Sequence, residues 1–570
     1  MSTGSRSGVT SRRARPATPM GRARYVVMMA LVVGGLTLLA GRIVDLHVFD
    51  RSFLQGQGDA RTLRVDPIPA HRGMITDRHG EPLAISTPVM TLWANPQDLP
   101  QDDIQRLMLA RALGQELEAL NARIARYAER EFMYLRRRMT PKAAREVLDL
   151  RIPGVHVQEE YKRYYPAGEV SAQLIGVTNV DDQGQEGLEL AYQSYLAGTL
   201  GQRRVLKDRR GRLVRELALL REAQPGGDLT LALDQRLQFM AYRELKAAVA
   251  EHDADGGVLV MMDARTGEVL AMANQPSYNP NDRAGLDPAG LRNRAIVDVY
   301  EPGSVVKPLA MAAMLETGEL PLGTVVDTSP GWMVIDRFTI KDIRNYGELS
   351  LAGILEKSSN IGMSKLALRL DDPIIPATYR ELGLGQAPGL GFPGEAAGSL
   401  PAPVRWSSSQ WAALSYGYGL SVSALQLASA YTAIANQGRR LPPSLLKLDR
   451  VPAGDTVIRP AVADRVLEMM DQVVGPETGA RRAEVPGYSV AGKTGTVRKT
   501  SAGGGYRERA YRSLFVGIVP VSNPRIVTVV MIDRPRGDDY YGGAVAAPVF
   551  SRVAGNALRL LDVPPDRREK

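Results

Sequence analysis

An uncharged apolar segment near the N-terminus constrains the chain more than any other feature. Tyr25 to Gly41 form a run of 17 residues without a charge, and a helix of this length extends for roughly 26 Å at about 1.5 Å per residue. Such a helix is near the lower limit for crossing a bilayer, and Ile43 and Val44 lengthen it when the side chain of Arg42 snorkels. We therefore predict a transmembrane anchor over residues 25–44.

Most of the net charge lies in front of this segment. The formal net charge is +9, and six arginines without any acidic residue lie in residues 1–24. This bias predicts a cytoplasmic basic tail over 1–24 and an exported chain after about residue 45. A cleaved signal peptide is the alternative, but Leu38-Leu39-Ala40 lacks a small residue at the first position of a cleavage site. The rest of the chain is nearly neutral, which does not support a nucleic-acid-binding surface.

The residues that the chain lacks exclude several kinds of site. None of the 570 residues is cysteine, which excludes disulfides, thiolate zinc sites and a cysteine nucleophile. The five histidines all lie at or before His252, and no pair has metal-ligand spacing on a helix. A Ser-His-Asp triad is therefore impossible in the C-terminal part of the chain, where no G-x-S-x-G motif occurs either. Acyl transfer in that part would need lysine as its base.

The exported chain divides into two parts at a turn cluster, Gln224-Pro225-Gly226-Gly227. Residues 45–225 are predicted to form an extended α+β pedestal module. Its helices should begin at Asp102 and at Thr140-Pro141, where capping residues stand. Between these two helices, a charge-rich segment to about Arg138 has the spacing of a solvated helix.

Residues 226–562 are predicted to form one α/β domain with an antiparallel sheet and a helical insert, followed by a tail over 563–570. Two strands, a mostly helical stretch from Ser304 to about Asn436, three further strands and a terminal helix follow one another. The connections between the last strands are too short for parallel crossovers, so the sheet should be antiparallel. The predicted strands are Val258–Met262, Glu268–Ala273, Tyr488–Val497, Arg512–Val519 and Arg525–Asp533, and the predicted flanking helices are Gln235–Val249 and Ala546–Leu561.

Three short motifs in this domain supply groups for acyl transfer. Ser304-Val305-Val306-Lys307 places a hydroxyl one helical turn from a lysine whose apolar neighbours lower its pKa. Ser358-Ser359-Asn360 offers a hydroxyl and an amide, and Lys493-Thr494-Gly495-Thr496 offers a cation on a strand. The first motif is weak alone, because Ser444-Leu445-Leu446-Lys447 matches it too. The order and spacing of all three together are rarely produced by chance.

A phosphate-binding loop is the alternative interpretation of the third motif. Gly487 to Thr494 satisfies G-x-x-x-x-G-K-[ST], and Ile526–Ile532 followed by Asp533 resembles the second NTPase motif. A phosphate loop needs a helix directly after its lysine, whereas Gly495 and the run Gly503-Gly504-Gly505 follow here. The anchor also places this segment outside the cytoplasm, away from ATP.

Together the three motifs resemble the active-site set of penicillin-binding proteins and serine β-lactamases. Arg72 to Gly80 resembles the first box of class B penicillin-binding proteins, although His79 stands where the family more often has asparagine. A lactamase would need neither the anchor nor the pedestal, so we identify the chain as resembling a class B penicillin-binding protein over residues 25–562. Arg163–Gly168 and Gly184–Glu189 resemble the next two boxes of the class B pedestal. Ser415–Leu420 and Tyr506–Phe515 resemble the division-specific, FtsI-like branch.

This resemblance implies a D,D-transpeptidase, or carboxypeptidase, that acts on peptidoglycan at the division septum. Ser304 would attack the penultimate D-alanine of a stem peptide, Lys307 would accept its proton, and the N–H groups of Ser304 and Thr496 would hold the oxyanion. The terminal D-alanine would leave, protonated through Ser358, and an amine of a neighbouring stem would resolve the acyl-enzyme. The implied catalytic residues are Ser304, Lys307, Ser358, Asn360 and Lys493, and the implied substrate-binding residues are Thr494, Gly495, Thr496, Ser359, Tyr418, Tyr511, Tyr540 and Tyr541.

The resemblance also implies ligands, partners and location. β-Lactams would acylate Ser304 as mimics of the D-Ala-D-Ala end, and the mechanism requires no metal or organic cofactor. The anchor and pedestal would contact a membrane glycan polymerase and other division proteins. The protein would cross the bacterial inner membrane once, with a periplasmic catalytic domain. A condition-specific paralogue, a β-lactamase-like hydrolase and a catalytically idle scaffold stay open as alternatives, and intact Ser304, Lys307 and Lys493 argue against the scaffold.

Overall fold

A long apolar helix stands at the N-terminal end of the described chain. The structure is a computed structural model that describes residues 22–49, 63–207, 213–282, 287–370, 374–403, 405–501 and 505–567. Helix α1 (Arg22–Val44) continues as a π-helical turn, Asp45–Phe49. By length and composition the 27 residues Arg22–Val48 are sufficient to cross a membrane, as the sequence predicted. Residues 1–21 of the predicted basic tail and residues 568–570 of the predicted C-terminal tail lie outside the described residues.

The pedestal contains two sheets and a small helical subdomain. One sheet has the order β1-β6-β7, and the other is centred on the long strand β3, which pairs with β4, β5 and β2. Strand β2 also pairs in parallel with β8, the strand that leads into the next domain. The strands are β1 (Leu63–Ile68), β2 (Ile75–Thr76), β3 (Pro82–Ala94), β4 (Met133–Met139), β5 (Val155–Tyr164), β6 (Gly201–Lys207), β7 (Leu213–Arg221) and β8 (Leu229–Thr230). The helices are α2 (Asp103–Leu113), α3 (Leu117–Arg126), α4 (Pro141–Leu148), α5 (Ala172–Ile175), α6 (Gly187–Ala191) and α7 (Gln193–Leu196).

The helical prediction was wrong for one stretch of the pedestal. Helix α3 ends at Arg126, and the residues before Arg138 belong instead to strand β4. Side chains alternate between buried and exposed from Met133 to Arg136, which is the period of a half-buried strand. Consecutive arginines in this strand hid the alternation. The two predicted caps are present, because the side chains of Asp102 and Thr140 accept hydrogen bonds from N–H groups of α2 and α4.

A buried ion cluster joins three distant stretches of the pedestal. Glu189 accepts hydrogen bonds from Arg72 Nε at 2.7 Å and from Arg163 Nε at 2.6 Å, and all three side chains are buried. Arg72 also donates to Gln193 Oε1 at 2.8 Å. The three stretches that resemble class B boxes therefore meet at one point. Each buried charge depends on the others, because an uncompensated buried ion is strongly unfavourable.

The C-terminal domain is built on a five-stranded antiparallel sheet with the order β10-β9-β19-β18-β17. Helices α8 and α19 pack on one face and α16 on the other, so every residue of β9 and β19 is buried. The antiparallel sheet is confirmed. The sheet strands are β9 (Gly256–Asp263), β10 (Val269–Gln275), β17 (Ala491–Thr500), β18 (Tyr506–Val519) and β19 (Ile526–Asp533). The helices are α8 (Gln235–Glu251), α9 (Pro288–Leu291), α10 (Arg294–Val297), α11 (Lys307–Glu316), α12 (Leu351–Glu356), α13 (Asn360–Ala367), α14 (Ile374–Glu381), α15 (Ser408–Ser415), α16 (Ala424–Ala435), α17 (Pro460–Asp471), α18 (Gly542–Val545) and α19 (Ala547–Leu560).

The insert between Ser304 and Asn436 is less helical than its sequence predicted. Two small antiparallel pairs, β11 with β14 and β12 with β13, interrupt its helices. The strands are β11 (Val325–Asp327), β12 (Trp332–Ile335), β13 (Phe338–Lys341) and β14 (Glu348–Ser350), and a short pair, β15 (Arg439–Arg440) with β16 (Asp455–Thr456), follows the insert. Strand β17 begins three residues later than predicted, at Ala491, because the N–H of Ser489 bonds to Asp566 Oδ1 at 2.7 Å.

Removing the carboxylate from the ion cluster should destabilise the pedestal. We expect Glu189→Ala to cost about 3–5 kcal/mol, because two buried guanidinium groups lose their counter-charge. Urea-induced unfolding of the purified protein measures this cost. Glu216→Ala is the control, because Glu216 pairs with Arg203 on the surface and should cost less than about 1 kcal/mol. Equal losses in the two variants would contradict the importance given to the buried cluster.

Candidate active site

The first motif stands on a tight turn in front of a buried helix. Ser304 belongs to the 3₁₀ turn Gly303–Val306, and α11 begins at Lys307, whose N–H donates to the carbonyl of Ser304. Gly303 has φ of +57°, and a Cβ there would lie 2.4 Å from Val497 Cγ2 in β17. Glycine is thus needed for both the backbone conformation and the close approach of the turn to β17. Ser304 precedes the α-helix by one turn rather than opening it.

Two lysines converge on the hydroxyl of the second motif. Lys307 Nζ lies 3.2 Å from Ser358 Oγ, and it donates to the Ser358 carbonyl at 2.5 Å and to Asn360 Oδ1 at 2.8 Å. Lys493 Nζ donates to Ser358 Oγ at 3.0 Å from β17. The structure therefore brings together residues of all three motifs. Lys307 and Lys493, which contact the same serine, are 186 positions apart in the sequence.

Burial sets the electrostatics of this pair. Both lysine side chains are fully buried, and burial disfavours the charged ammonium. Burial lowers the pKa of Lys307 well below its ordinary value, the charge of Lys493 lowers it further, and the carboxylate of Asp342 opposes both effects. Burial also lowers the pKa of Lys493 to about 7. A neutral amine next to a serine hydroxyl is a suitable proton acceptor.

Asp342 holds the second motif in place. Its carboxylate accepts hydrogen bonds from the N–H of Asn360 at 2.6 Å, from the N–H of Ile361 at 3.2 Å and from the hydroxyl of Ser359. Ser358 itself has φ of +55°, a conformation that costs a non-glycine residue about 1–2 kcal/mol. The hydrogen bonds to Asp342 therefore fix the start of α13 directly after a strained residue. Sequence reasoning missed Asp342, which lies outside the motifs and carries no pattern of its own.

The side chains of Ser359 and Asn360 are already occupied. Ser359 is fully buried, and its hydroxyl accepts from the N–H of Gly362 at 2.8 Å while donating to Asp342. It caps α13, so its hydroxyl is engaged within the protein on both sides. Asn360 Oδ1 accepts from Lys307, and its Nδ2 donates to the carbonyl of Lys341 at 3.1 Å. Asn360 therefore orients Lys307 as well as bordering the site.

The third motif lies on β17, at the edge of the sheet. A Cβ at Gly495 would lie 2.9 Å from Val305 Cγ1, so glycine allows the strand to approach the Ser304 turn. Thr494 and Thr496 are partly exposed, and Thr496 Oγ1 accepts from the N–H of Gly542 at 3.1 Å. The motif pairs with β18 on one side only. The other edge of β17 lacks a strand partner among the described residues.

The alternative interpretations of these motifs do not fit the structure. Strand β17 runs through Lys493 and continues to Thr500, so no helix follows the lysine as a phosphate loop requires. Lys447 Nζ donates to the carbonyl of Arg78, and Ser444 Oγ donates to the carbonyl of Leu446, so the second Ser-x-x-Lys match forms no pair. Within the described ranges, no group of three acidic or histidine side chains is placed to hold a metal ion.

The four predicted tyrosines form two separate clusters. Tyr540 stacks on Tyr511 at 4.2 Å and on Tyr541 at 4.6 Å between ring centroids. Tyr511 pairs with Arg498 across β18 and β17, which places this ladder beside the third motif. Tyr418 instead contacts the ring of Tyr506 at 6.1 Å.

Glu301 lies three residues before Ser304 and contacts the second tyrosine cluster. Its carboxylate accepts from Tyr506 Oη at 3.1 Å and from the N–H of Gly419 at 3.1 Å. Burial, followed by the charge of Glu301, raises the pKa of Tyr418. The sequence predicted Tyr418 but neither Glu301 nor Tyr506 as site residues, because their pairing depends on chain reversal at the β17–β18 hairpin.

Comparisons with known families agree with this architecture. The model of the penicillin-binding protein transpeptidase domain matches residues 257–555, and the model of the penicillin-binding protein dimerisation domain matches residues 67–231. Together these two regions cover most of the C-terminal domain and the pedestal.

Individual relatives resemble the chain over nearly its whole length. A probable peptidoglycan D,D-transpeptidase, PbpC, of Pseudomonas aeruginosa is 45% identical over 95% of this chain and 96% of its own. The peptidoglycan D,D-transpeptidase FtsI of Escherichia coli is 42% identical over 95% of this chain and 92% of its own. The crystal structure of penicillin-binding protein 3 of Mycobacterium tuberculosis, complexed with aztreonam, has a TM-score of 0.69 at 29% identity, covering 88% of this chain and 98% of that one.

Loss of the Asp342 carboxylate should loosen the second motif. We expect Asp342→Ala to lower the free energy of unfolding by about 2–3 kcal/mol, because two partly buried N–H groups and a hydroxyl lose their acceptor. Thermal unfolding measures the change. Asp327→Ala in β11 is the control, because Asp327 is exposed and its carboxylate accepts from the N–H of Ser329. A control loss as large as that of Asp342→Ala would contradict the specific role of Asp342.

Proposed function

This chain belongs to the penicillin-binding proteins and is a peptidoglycan D,D-transpeptidase, and from that premise we propose that Ser304 is its nucleophile. Ser304 Oγ would attack the penultimate D-alanine carbonyl of a stem peptide and form an ester, with loss of the terminal D-alanine. The observation that carries this assignment is the convergence on Ser358 of Lys493 and of Lys307, which follows Ser304 by three residues. No serine outside the three motifs is supported by such a pair among the described residues.

Lys307 acts as the general base in this proposal. Burial lowers its pKa, which favours the neutral amine that takes the proton from Ser304 Oγ. The Ser358 carbonyl and Asn360 Oδ1 accept from its two N–H groups, and these hydrogen bonds restrict the position of the amine. The developing oxyanion is held by the N–H groups of Ser304 and Thr496, whose backbones come together at the close contact between Gly495 and Val305.

Ser358 returns the proton to the leaving group. Its hydroxyl lies between Lys307 and Lys493, so a proton passes from Lys307 through Ser358 to the departing amine of D-alanine. The donor stem pairs with the free edge of β17 as an added strand. Thr494, Thr496 and charged Lys493 attract its carboxylate, and the tyrosine ladder with Tyr418 borders the same cleft.

The protein is a single-pass inner membrane protein. We propose that its N-terminus is cytoplasmic, in line with the six arginines of residues 1–24, and that the catalytic domain faces the periplasm. The anchor and pedestal would contact a membrane glycan polymerase and other division proteins. Septal cross-linking is supported by the FtsI relatives. A paralogue beside the main division enzyme is the second candidate, because the relative at 45% identity bears a different name, PbpC.

A penicillin should form a stable adduct with Ser304. We expect intact-mass spectrometry of the full-length protein in detergent to show one bound drug on wild type and on Ser444→Ala. Ser304→Ala should show none, because acylation falls by a factor on the order of 10⁴ or more when a nucleophile is removed. Rapid drug hydrolysis without an adduct would favour a lactamase instead. An adduct on Ser304→Ala would refute the assignment of the nucleophile.

Acylation should also depend on pH through Lys493. Since the pKa of Lys493 is about 7, the ammonium loses its charge as pH rises through 7. We expect the second-order rate constant for acylation by a carboxylate-bearing penicillin to fall by up to about tenfold per pH unit above 7, because attraction of the drug carboxylate is lost. The methyl ester of the same penicillin is the control and should show no such fall. Parallel profiles for acid and ester would contradict the role given to Lys493.

A further inference from the structure

The hairpin β12–β13 exposes an apolar and cationic face next to the second motif. The side chain of Trp332 is 53% exposed and that of Val334 is 55% exposed. In the hairpin register Trp332 is opposite Lys341 and Val334 is opposite Thr339, so these four side chains share one face. Large apolar side chains grouped on a surface commonly mark a binding site.

The hairpin is held firmly from its other face. Ile335 and Ile340 are buried in a small cluster with Ile361 of α13 and Ala412 of α15. At the turn, Asp336 accepts from the N–H of Ser409 at 3.0 Å, which ties the hairpin to the start of α15. The exposed face is therefore presented on a fixed support.

The exposed face leads directly into the active site. The carbonyl of Lys341 accepts from Asn360 Nδ2, and the next residue, Asp342, holds Ser359 and the start of α13. Lys493 reaches Ser358 from β17, whereas the hairpin reaches the same motif through Asn360. The hairpin and β17 thus contact the second motif at different residues, Asn360 and Ser358.

Charge makes this face suitable for an anionic ligand. Arg337, Lys341 and Arg344 form no ion pair within the described residues; Arg337 lies over the ring of Phe338, and Arg344 lies over the ring of Tyr346. The two aspartates of this stretch, Asp336 and Asp342, are engaged by backbone N–H groups. The stretch therefore carries three cations against two carboxylates, a net positive charge, beside exposed apolar side chains.

We propose that this face, formed by Trp332, Val334, Thr339 and Lys341, docks the second, amine-bearing stem peptide together with its attached sugar. The inference rests on the proposed function and adds the acceptor site to it. With the donor on β17, the acceptor amine must enter where the leaving amine departs, at Ser358. A stem peptide linked to sugar presents carboxylates for Lys341 and a flat apolar sugar face for Trp332.

The step that this docking serves is aminolysis of the ester. The amine nitrogen of the acceptor attacks the ester carbonyl on Ser304, a C–N bond forms, and the bond between that carbonyl carbon and Oγ breaks. The amine proton passes to Lys307 and then to Ser304 Oγ, which restores the free hydroxyl. Water in place of the amine gives hydrolysis, so a docked acceptor decides how the acyl-enzyme partitions.

The test separates acylation from acceptor use. The full-length protein in detergent is given a thioester donor that ends in a stem-peptide-like acyl-D-alanyl group, and thiol release reports acylation. The acceptor probe is a purified disaccharide-tetrapeptide with a free side-chain amine, and the fraction of cross-linked product is measured against its concentration. The variants are Trp332→Ala and Lys341→Glu. The controls are Phe239→Ala and Lys142→Glu, which change an exposed aromatic ring and an exposed lysine elsewhere.

We expect the two hairpin variants to release thiol at wild-type rates, within about twofold, and to need about tenfold more acceptor for half-maximal cross-linking. Glycinamide, a small neutral amine, should be used equally well by all variants, because it lacks the sugar and the carboxylates. An unchanged dependence on the disaccharide-tetrapeptide, or an equal loss with glycinamide, would overturn the proposal. Slower thiol release in both hairpin variants would also overturn it, because the face would then serve the donor.

Failure of the proposed function itself has a different signature. Thiol release by Ser304→Ala at the wild-type rate would refute the Ser304 acyl-enzyme, whatever the hairpin variants show. The acceptor proposal is tested separately, by comparing acceptor use among the variants that release thiol at the wild-type rate.

Discussion

The removal of two ammonium groups from water is the constraint on which the catalytic arrangement depends. Lys307 and Lys493 both lie in the interior, where burial lowers the pKa of each below that of a surface lysine. The domain surrounds them with apolar strands and helices and offers a few oxygen acceptors, above all Ser358 and Asn360. Desolvation thus performs the task for which other hydrolases use histidine, in a domain whose sequence after His252 has none.

The helical insert is part of this arrangement because it supplies Asp342. One carboxylate orders the backbone after a residue in the left-handed region and also moderates the pKa of Lys307. The strain at Ser358 and the burial of Lys307 are both unfavourable, and a protein accepts such features where chemistry requires them. The hairpin that carries Asp342 is packed against α13 and α15, so the position of Ser358 depends on packing well outside the motifs.

Sequence patterns predicted the residues that lie at fixed intervals within a motif. They did not predict the residues that reach the site only through tertiary contacts. The turn between Ser304 and Lys307 is visible from an interval of three residues, and the antiparallel sheet follows from short connections. Asp342 and Glu301 gain their hydrogen-bond partners only when β13 meets α13 and when Tyr506 of β18 reaches Glu301 beside the Ser304 turn. The strand at Met133–Met139 was missed for another reason, since its arginines imitate an exposed helix while tertiary pairing with β3 selects a strand.

The open edge of β17 has a consequence for the stability of the protein. A strand with unused N–H and C=O groups is a template for association with other chains, and proteins commonly block such edges with proline, bulges or inward charges. Here the edge must stay open if a peptide is to pair with it. Residues that block association with other chains would also prevent the substrate from binding. The strand that would pair with the peptide is therefore also exposed to association with other chains. Selection for solubility has to act on its flanks and leave Lys493 to Thr496 unchanged.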